Sequence, residues 1–365
     1  MTTTIAPTAS PAARPLDPDK LMEFVFRTVG DAGATLNTAL VVMGDKLGLY
    51  RSLVDHGPST PGELAERTGT DEHYTREWLN AQAAGDFVTY DAATSRYSLE
   101  PEQAVALTDE DSPAFVPGLF QTVLGTMQHT ARVIEAARTG DGVGWHERDA
   151  DVHVGCERFF RPSYRAHLVA DWLPALDGVT DKLVAGARVA DIGCGLGAST
   201  ILMAAAFPAS RFVGIDAHAG SIETARERAR DAGVADRIEF RVAAAESSGD
   251  ETFDLVTLFD CLHDMGDPVG AARKIRDSLA DDGTLMIVEP AAGDRVEDNL
   301  NPVGRVYYGF STLLCTPCSL SQDVGLALGT QAGPQRVHDV MTTAGFSRFA
   351  VVASTPFNNV FEVKA

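Results

Sequence analysis

The chain is short of positive charge: 30 Lys and Arg stand against 51 Asp and Glu in 365 residues, a formal net charge of -21. Phosphate backbones and anionic headgroups are gripped by basic faces, so this balance argues against nucleic-acid and membrane-surface partners. There is no apolar run of bilayer-spanning length, which argues against a transmembrane protein. The five cysteines are odd in number and scattered, which argues against a disulfide framework and suits free thiols in a reducing cytoplasm. Cys315 and Cys318 form a lone CxxC pair. Neither a second pair nor two histidines lie close in sequence, so no metal site is expected, and the pair reads as buried structural thiols, with a redox pair as the alternative. The Thr-, Ala- and Pro-rich stretch Met1–Asp19 has no apolar segment, and residues 1–20 read as a disordered tail rather than a targeting signal.

What is present starts with a glycine turn. The run Ala187-Arg188-Val189-Ala190 leads into Asp191-Ile192-Gly193-Cys194-Gly195-Leu196-Gly197 and on to Ala198-Ser199-Thr200-Ile201-Leu202-Met203. This reads as a strand, a sharp turn and a helix. The glycines are not spaced Gly-x-Gly-x-x-Gly, the dinucleotide fingerprint. An acid two residues before the first glycine would repel a pyrophosphate and suits a cationic, amine-bearing ligand. Asp216 ends the next apolar run, where nucleotide-binding α/β units place the carboxylate that holds ribose hydroxyls. The plainer alternative is a strand–helix turn whose glycines serve packing alone.

From Val184 onward strands and helices alternate. Strands are expected near 187–192, 211–216, 237–242, 253–259, 284–289, 347–353 and 358–363. Such alternation builds an α/β, Rossmann-like doubly wound sheet that binds ligands at the carboxyl ends of its strands. This domain spans 181–365. Before it, residues 21–110 read as a mostly helical winged-helix domain. A first helix covers about Leu21 to Leu49, with Leu36, Leu40, Met43 and Leu47 as its apolar stripe. Ser59-Thr60-Pro61-Gly62-Glu63 is a capping box that starts a second helix. Asp71 starts a third, with Tyr74, Trp78 and Ala81 on one side and Gly85 at its end. Phe87–Tyr90 and Arg96–Leu99 form a hairpin. Region 41–110 holds five basic residues against thirteen acidic ones, so the domain reads as an interaction module rather than a DNA reader. Residues 111–180 read as a helical linker. Its Phe159 and Phe160 are candidates either to wall a substrate pocket or to form interdomain core.

Asp191, Asp216, His263 and Glu289 all fall at or just past strand ends, so one crevice can gather them. His263, in Asp260-Cys261-Leu262-His263-Asp264-Met265, is the side chain best suited to proton abstraction near neutral pH. Glu289 can accept its other ring proton and fix the tautomer. The plainer reading makes His263 a loop cap and Glu289 a solvated acid. A long segment, 299–331, follows Glu289. Asn301, Arg305, Tyr308 and Gln322 are its candidate acceptor contacts, Arg305 favouring an anionic acceptor, unless the segment is a dimer contact.

Acid-x-Gly-x-Gly-x-Gly with Asp216 resembles motif I of the class I S-adenosylmethionine (SAM) dependent methyltransferases. With the winged helix, the chain from about Leu21 resembles the two-domain small-molecule O-methyltransferases and uncharacterised bacterial relatives. The resemblance implies SAM as cofactor and S-adenosylhomocysteine as product, bound by Asp191, Gly193, Gly195, Gly197, Asp216, Ala244, Ala245 and Asp260. It implies a small-molecule acceptor, His263 as general base with Glu289 as orienter and Asp264 beside it, and a homodimer formed through the winged helix. Phe357-Asn358 matches the family's Phe-Asn pair. Met265 stands where the family has tryptophan, Ala245 where it has an adenine-binding acid, leaving Glu246 or backbone for that contact, and Gln335 near a second flanking acid. Two rival functions remain: C-methylation of a 2-oxo acid with a metal held by His263 and partners drawn from His146, His153 and His218, and a SAM-sensing winged-helix regulator. A SAM-binding protein that has lost methyl transfer is a further alternative.

Overall fold

The computed structural model describes residues 15–245 and 251–365. The expected tail falls largely outside that range, as does Glu246. The first helix, α1 (Pro18–Lys46), starts earlier than the pattern predicts. Asp17 caps it by accepting from the Asp19 and Lys20 N–H groups, and Pro18 is set for the first turn. Gly48, left-handed at φ 69°, breaks it from α2 (Leu49–His56). Then come α3 (Pro61–Thr68), with the Thr60/Glu63 capping box, and α4 (Glu72–Ala84), capped by Asp71. A hairpin of β1 (Thr89–Asp91) and β2 (Arg96–Ser98) forms the wing.

Two helix faces differ from the sequence expectation. In α1 the buried residues are Thr38, Val41, Val42 and Gly44, whereas Leu36 and Leu47 are exposed. In α4 Thr75, Trp78, Leu79 and Gln82 are buried, while Tyr74 and Ala81 face out. The cause is Trp78, which packs against Tyr50 and donates to the Leu40 carbonyl at 2.8 Å, fixing how α4 is turned against α1. Gly44 makes the crossing possible, since a Cβ there would meet the Trp78 ring at 2.4 Å.

Helices α5 (Pro101–Thr108), α6 (Pro117–Met127), α7 (Thr130–Thr139) and α8 (Ala150–His167) form the middle of the chain. α6 and α8 cross closely: a Cβ at Gly118 would stand 2.6 Å from the Phe159 nitrogen, and one at Gly155 2.5 Å from the Thr122 nitrogen. Arg158 of α8 pairs with Asp45 and Glu110, tying this helix to the first domain.

Helix α9 (Val179–Ala185) leads into the sheet. The remaining elements are β3 (Arg188–Ile192), α10 (Ala198–Ala206), β4 (Arg211–Asp216), α11 (Ala219–Asp231), β5 (Ile238–Val242), β6 (Phe253–Phe259), α12 (Pro268–Ser278), β7 (Leu279–Pro290), α13 (Pro302–Phe310), α14 (Thr316–Leu320), α15 (Gly333–Ala344), β8 (Arg348–Ser354) and β9 (Asn358–Lys364). Strand order is β5-β4-β3-β6-β7-β9-β8, and β9 runs antiparallel to both its neighbours. All the expected strands form. β7 begins earlier than predicted, and its ladder with β6 shifts register between Phe253↔Leu279 and Leu255↔Thr284, opposite Asp281-Asp282-Gly283. Successive residues feed opposite faces: Val189 joins a core with Trp172, Met203 and Phe212, and Ala190 one with Val256, Ile275 and Met341. The order reverses between β3 and β6, so a crevice opens at their carboxyl ends.

Candidate active site

The glycine turn folds back onto β4. Gly193 and Cys194 donate to the Ile215 carbonyl at 2.8 and 3.1 Å, and Gly195 donates to the Asp216 carboxylate at 2.9 Å. Gly193, Gly195 and Gly197 all have positive φ, at 73°, 52° and 81°, which glycine alone adopts without strain. A Cβ at Gly193 would also strike the Cys261 sulfur at 2.7 Å. Asp191 corrects a sequence expectation. Its carboxylate is 1% exposed and does not reach the cavity. Its oxygens instead accept from Ser199 (2.7 Å), Thr200 (2.5 Å) and Thr257 (2.9 Å), so it anchors the turn from beneath. Burial raises its pKa against those hydroxyls.

A cavity of about 320 Å³ opens above the turn. Gly193, Gly195, Asp216, Ala244, Ala245, Asp260, His263, Asp264, Phe159 and Phe160 all line it. Asp216 holds the Gly195 and His218 N–H groups, and burial raises its pKa. Asp260 sits at φ +49° just past β6. Tyr164 of α8 and Asn358 of β9 each donate to it at 2.8 Å. Burial, then the Glu289 charge, push its pKa up to about 8.

His263 is 3% exposed and Glu289 4%. Nδ1 of the imidazole lies 2.6 Å from Glu289 Oε2, while Oε1 accepts the Leu262 N–H at 3.0 Å. The carboxylate can only accept, so Nδ1 carries the proton and Nε2 is left to the cavity side, 3.5 Å from Asp264 Oδ1. Burial disfavours the imidazolium, but Glu289, Asp264 and Asp260 outweigh it and raise the pKa to about 10.

Of the four contacts expected from the segment after β7, only Gln322 lines the cavity. Asn301 does not line the cavity: it caps α13, accepting from Gly304 N–H at 2.9 Å. Arg305 is an exposed partner of Asp31 on α1 at 2.9 Å. Tyr308 lies off the lining, while its neighbour Tyr307 is on it, with Phe310, Leu314 and Cys318. The sequence signal for this face was the spacing of those four residues, close to one helical stripe. Gln322 does line the cavity, held by the Gly266 N–H and the Asp264 carbonyl. Leu119, Thr122 and Trp145 complete the wall and had no signal in sequence. Among the described residues no Lys or Arg lines it.

The histidines weighed as metal partners do not gather round His263. His146 is exposed, and His153 stacks on His218 at 4.5 Å. Gln335 is exposed and holds Asp294 through its backbone, so it supplies no second flanking acid.

Residues 183–343 match the family model of a methyltransferase domain, and residues 34–109 that of the Rv2258c-like winged HTH domain. The C-terminal half is a methyltransferase domain. Over the whole chain the fold is similar to a putative O-methyltransferase from Nostoc punctiforme PCC 73102 (TM-score 0.70, 21% identity, 94% of this chain and 98% of that one). It is also similar to human N-acetylserotonin methyltransferase in complex with SAM (TM-score 0.68, 17% identity, 93% and 97%). A trans-aconitate 2-methyltransferase of Paracidovorax citrulli is 34% identical over 108 residues, 30% of this chain and 40% of that protein. The chain spans 27% and 40% of the length of two curated relatives it matches. The fold class expected from sequence, an α/β sheet preceded by a mostly helical winged-helix region, is the observed one.

Proposed function

We propose that the chain is a SAM-dependent methyltransferase acting on a hydroxyl of a small, largely apolar acceptor. The observation that carries this reading is a single cavity bounded by the glycine turn, Asp216 and His263, with Glu289 behind the imidazole. Its volume suits a small molecule. The residues fit the cofactor: a Cβ at Gly195 would meet nothing within 4 Å, so the turn leaves room for a ligand against its backbone, and Asp216 offers a carboxylate for ribose hydroxyls. Ala243 to Ala245 give an apolar wall for the adenine. Asp191 supports the turn without contact.

When bound, SAM supplies an electrophilic methyl carbon for in-line displacement. His263 Nε2 takes the acceptor's hydroxyl proton as the oxygen becomes nucleophilic, while Glu289 holds Nδ1–H and stabilises the imidazolium. Asp264 adds negative potential beside Nε2. Phe159, Phe160, Tyr307 and Phe310 keep water from the reacting centre. With no Lys or Arg in the described lining, a neutral aromatic hydroxyl suits the cavity better than the anionic acceptor that Arg305 suggested.

Titration calorimetry with S-adenosylhomocysteine, beside Asp216→Ala, tests the cofactor assignment. Micromolar binding that the variant loses supports it. No binding to the wild type would sink it.

A homodimer is part of this reading. α1 exposes Met22, Val25, Phe26, Val29 and Leu36, which share one side of the helix, an apolar face that a second copy would cover. Light scattering that shows a monomer at micromolar concentration would remove it. The outer face of α4 carries Glu72, His73, Glu77 and an Arg76 already paired to Glu72, so we read the winged helix as a protein-interaction module rather than a DNA reader. No described helix is long and apolar enough to cross a membrane.

A further inference from the structure

We propose that His263, Asp264 and Cys315 form a three-ligand site for a borderline-soft divalent cation such as Zn²⁺ or Co²⁺. The imidazole nitrogen, a carboxylate oxygen and the thiol sulfur lie within 4.8 Å of one another. Nitrogen, oxygen and sulfur together suit zinc and its neighbours rather than Mg²⁺ or Ca²⁺. Tetrahedral zinc bond lengths put ligand atoms about 3.3–3.6 Å apart. His263 Nε2 and Asp264 Oδ1 already stand at 3.5 Å, so only the thiol has to close in, from at most 4.8 Å.

Two further observations point the same way. Asp264 Oδ1 is a buried oxygen with no hydrogen-bond partner, which a cation would satisfy. The His263–Glu289 contact at 2.6 Å is the carboxylate–histidine arrangement that orients metal-bound imidazoles. All three residues line the cavity, so a fourth position faces the acceptor space, as in open zinc sites. On binding, the thiol proton and the Nε2 proton of the imidazolium both leave to solvent as the metal–sulfur and metal–nitrogen bonds form. The cation takes the Nε2 lone pair that proton abstraction needs, so the metal-bound and base-competent states exclude each other.

Co²⁺ titration of the chelator-washed full chain tests the site through its absorption spectrum. One equivalent with a thiolate-to-cobalt charge-transfer band is expected. Cys315→Ser should lose that band, and Cys318→Ser should keep it. Glu289→Gln should weaken Co²⁺ roughly tenfold to a hundredfold. Retained S-adenosylhomocysteine binding shows that each variant is folded; if Cys315→Ser is not, Asp264→Asn must weaken Co²⁺ instead. No stoichiometric uptake by the wild type, or a thiolate band that survives Cys315→Ser, overturns the proposal. Neither outcome touches the base assignment, which is tested on metal-free protein.

Discussion

Glu289 grips His263 from the end of the neighbouring strand, with Oε2 2.6 Å from Nδ1 and Oε1 on the Leu262 N–H. In metal-free protein, His263→Ala should cut turnover by about 10²–10⁴-fold and leave S-adenosylhomocysteine affinity nearly unchanged. Equal loss of both would sink the base assignment.

The same pair sets a pH dependence. With its pKa raised to about 10, the empty-site imidazole is protonated at neutral pH and cannot accept a proton. Turnover of the metal-free enzyme should therefore climb as pH rises toward that value. Glu289→Gln removes a charge that holds the proton, so the midpoint should move to lower pH even as the rate falls. For folding, the raised pKa gives stability that is complete below the ordinary value of 6.5 and lost as pH rises through about 10. A rate profile whose midpoint is the same in Glu289→Gln contradicts this coupling.

Asp260 makes a separate prediction. Its carboxyl, held by Tyr164 and Asn358, titrates near 8, so it is mostly protonated at pH 7. A ligand ammonium placed beside it favours the ionised form. S-adenosylhomocysteine affinity should strengthen as pH rises through about 8, with proton release detectable by calorimetry in buffers of different ionisation heat. Asp260→Asn should flatten that dependence. The stability contribution of the raised pKa is complete below 3.8 and lost as pH rises through about 8. A wild-type affinity that does not vary across this range removes Asp260 from the amine contact.

The sheet and the turn were legible because their signals are local. Asp191 to Gly197 carries its own backbone demand for positive φ, and the strands read as apolar runs bounded by turns. The orientation of helices was not legible, because it is decided across the chain. Trp78 selects which side of α4 is buried by bonding to Leu40, 38 residues away. The acceptor wall failed for the same reason. Arg305 and Asn301 are polar residues in a long insertion, the type that usually marks a binding loop, yet one pairs with α1 and the other caps its own helix. Asp191 was found by motif but not by role, since three hydroxyls from α10 and β6 take up its oxygens.

That role predicts a stability effect. Asp191→Ala leaves Ser199, Thr200 and Thr257 without their shared acceptor in a buried site, and each stranded group costs about 1–3 kcal/mol. Thermal melting should drop by several degrees or more, and S-adenosylhomocysteine binding should weaken because the turn loosens. Asp191→Asn keeps acceptor capacity and should retain part of both. A melting temperature unchanged in Asp191→Ala would show that the three hydrogen bonds do not hold the turn.

The acceptor wall gives the last prediction. Arg305 is exposed and its pair with Asp31 is a surface contact, so Arg305→Ala should lie within about 1 kcal/mol of wild type in stability and leave acceptor kinetics alone. Tyr307 and Phe310, on the cavity side of the same helix, should behave differently. Phe310→Ala should raise KM for an aromatic acceptor without changing cofactor affinity, because it removes apolar contact to the acceptor alone. A matched pair of phenols, one bearing a carboxylate, separates the two chemistries. The neutral phenol should be methylated faster, since the lining offers Asp216, Asp260 and Asp264 but no Lys or Arg. Preference for the carboxylate, abolished in Arg305→Ala, would instead mean that the helix rearranges to bring that guanidinium into the site.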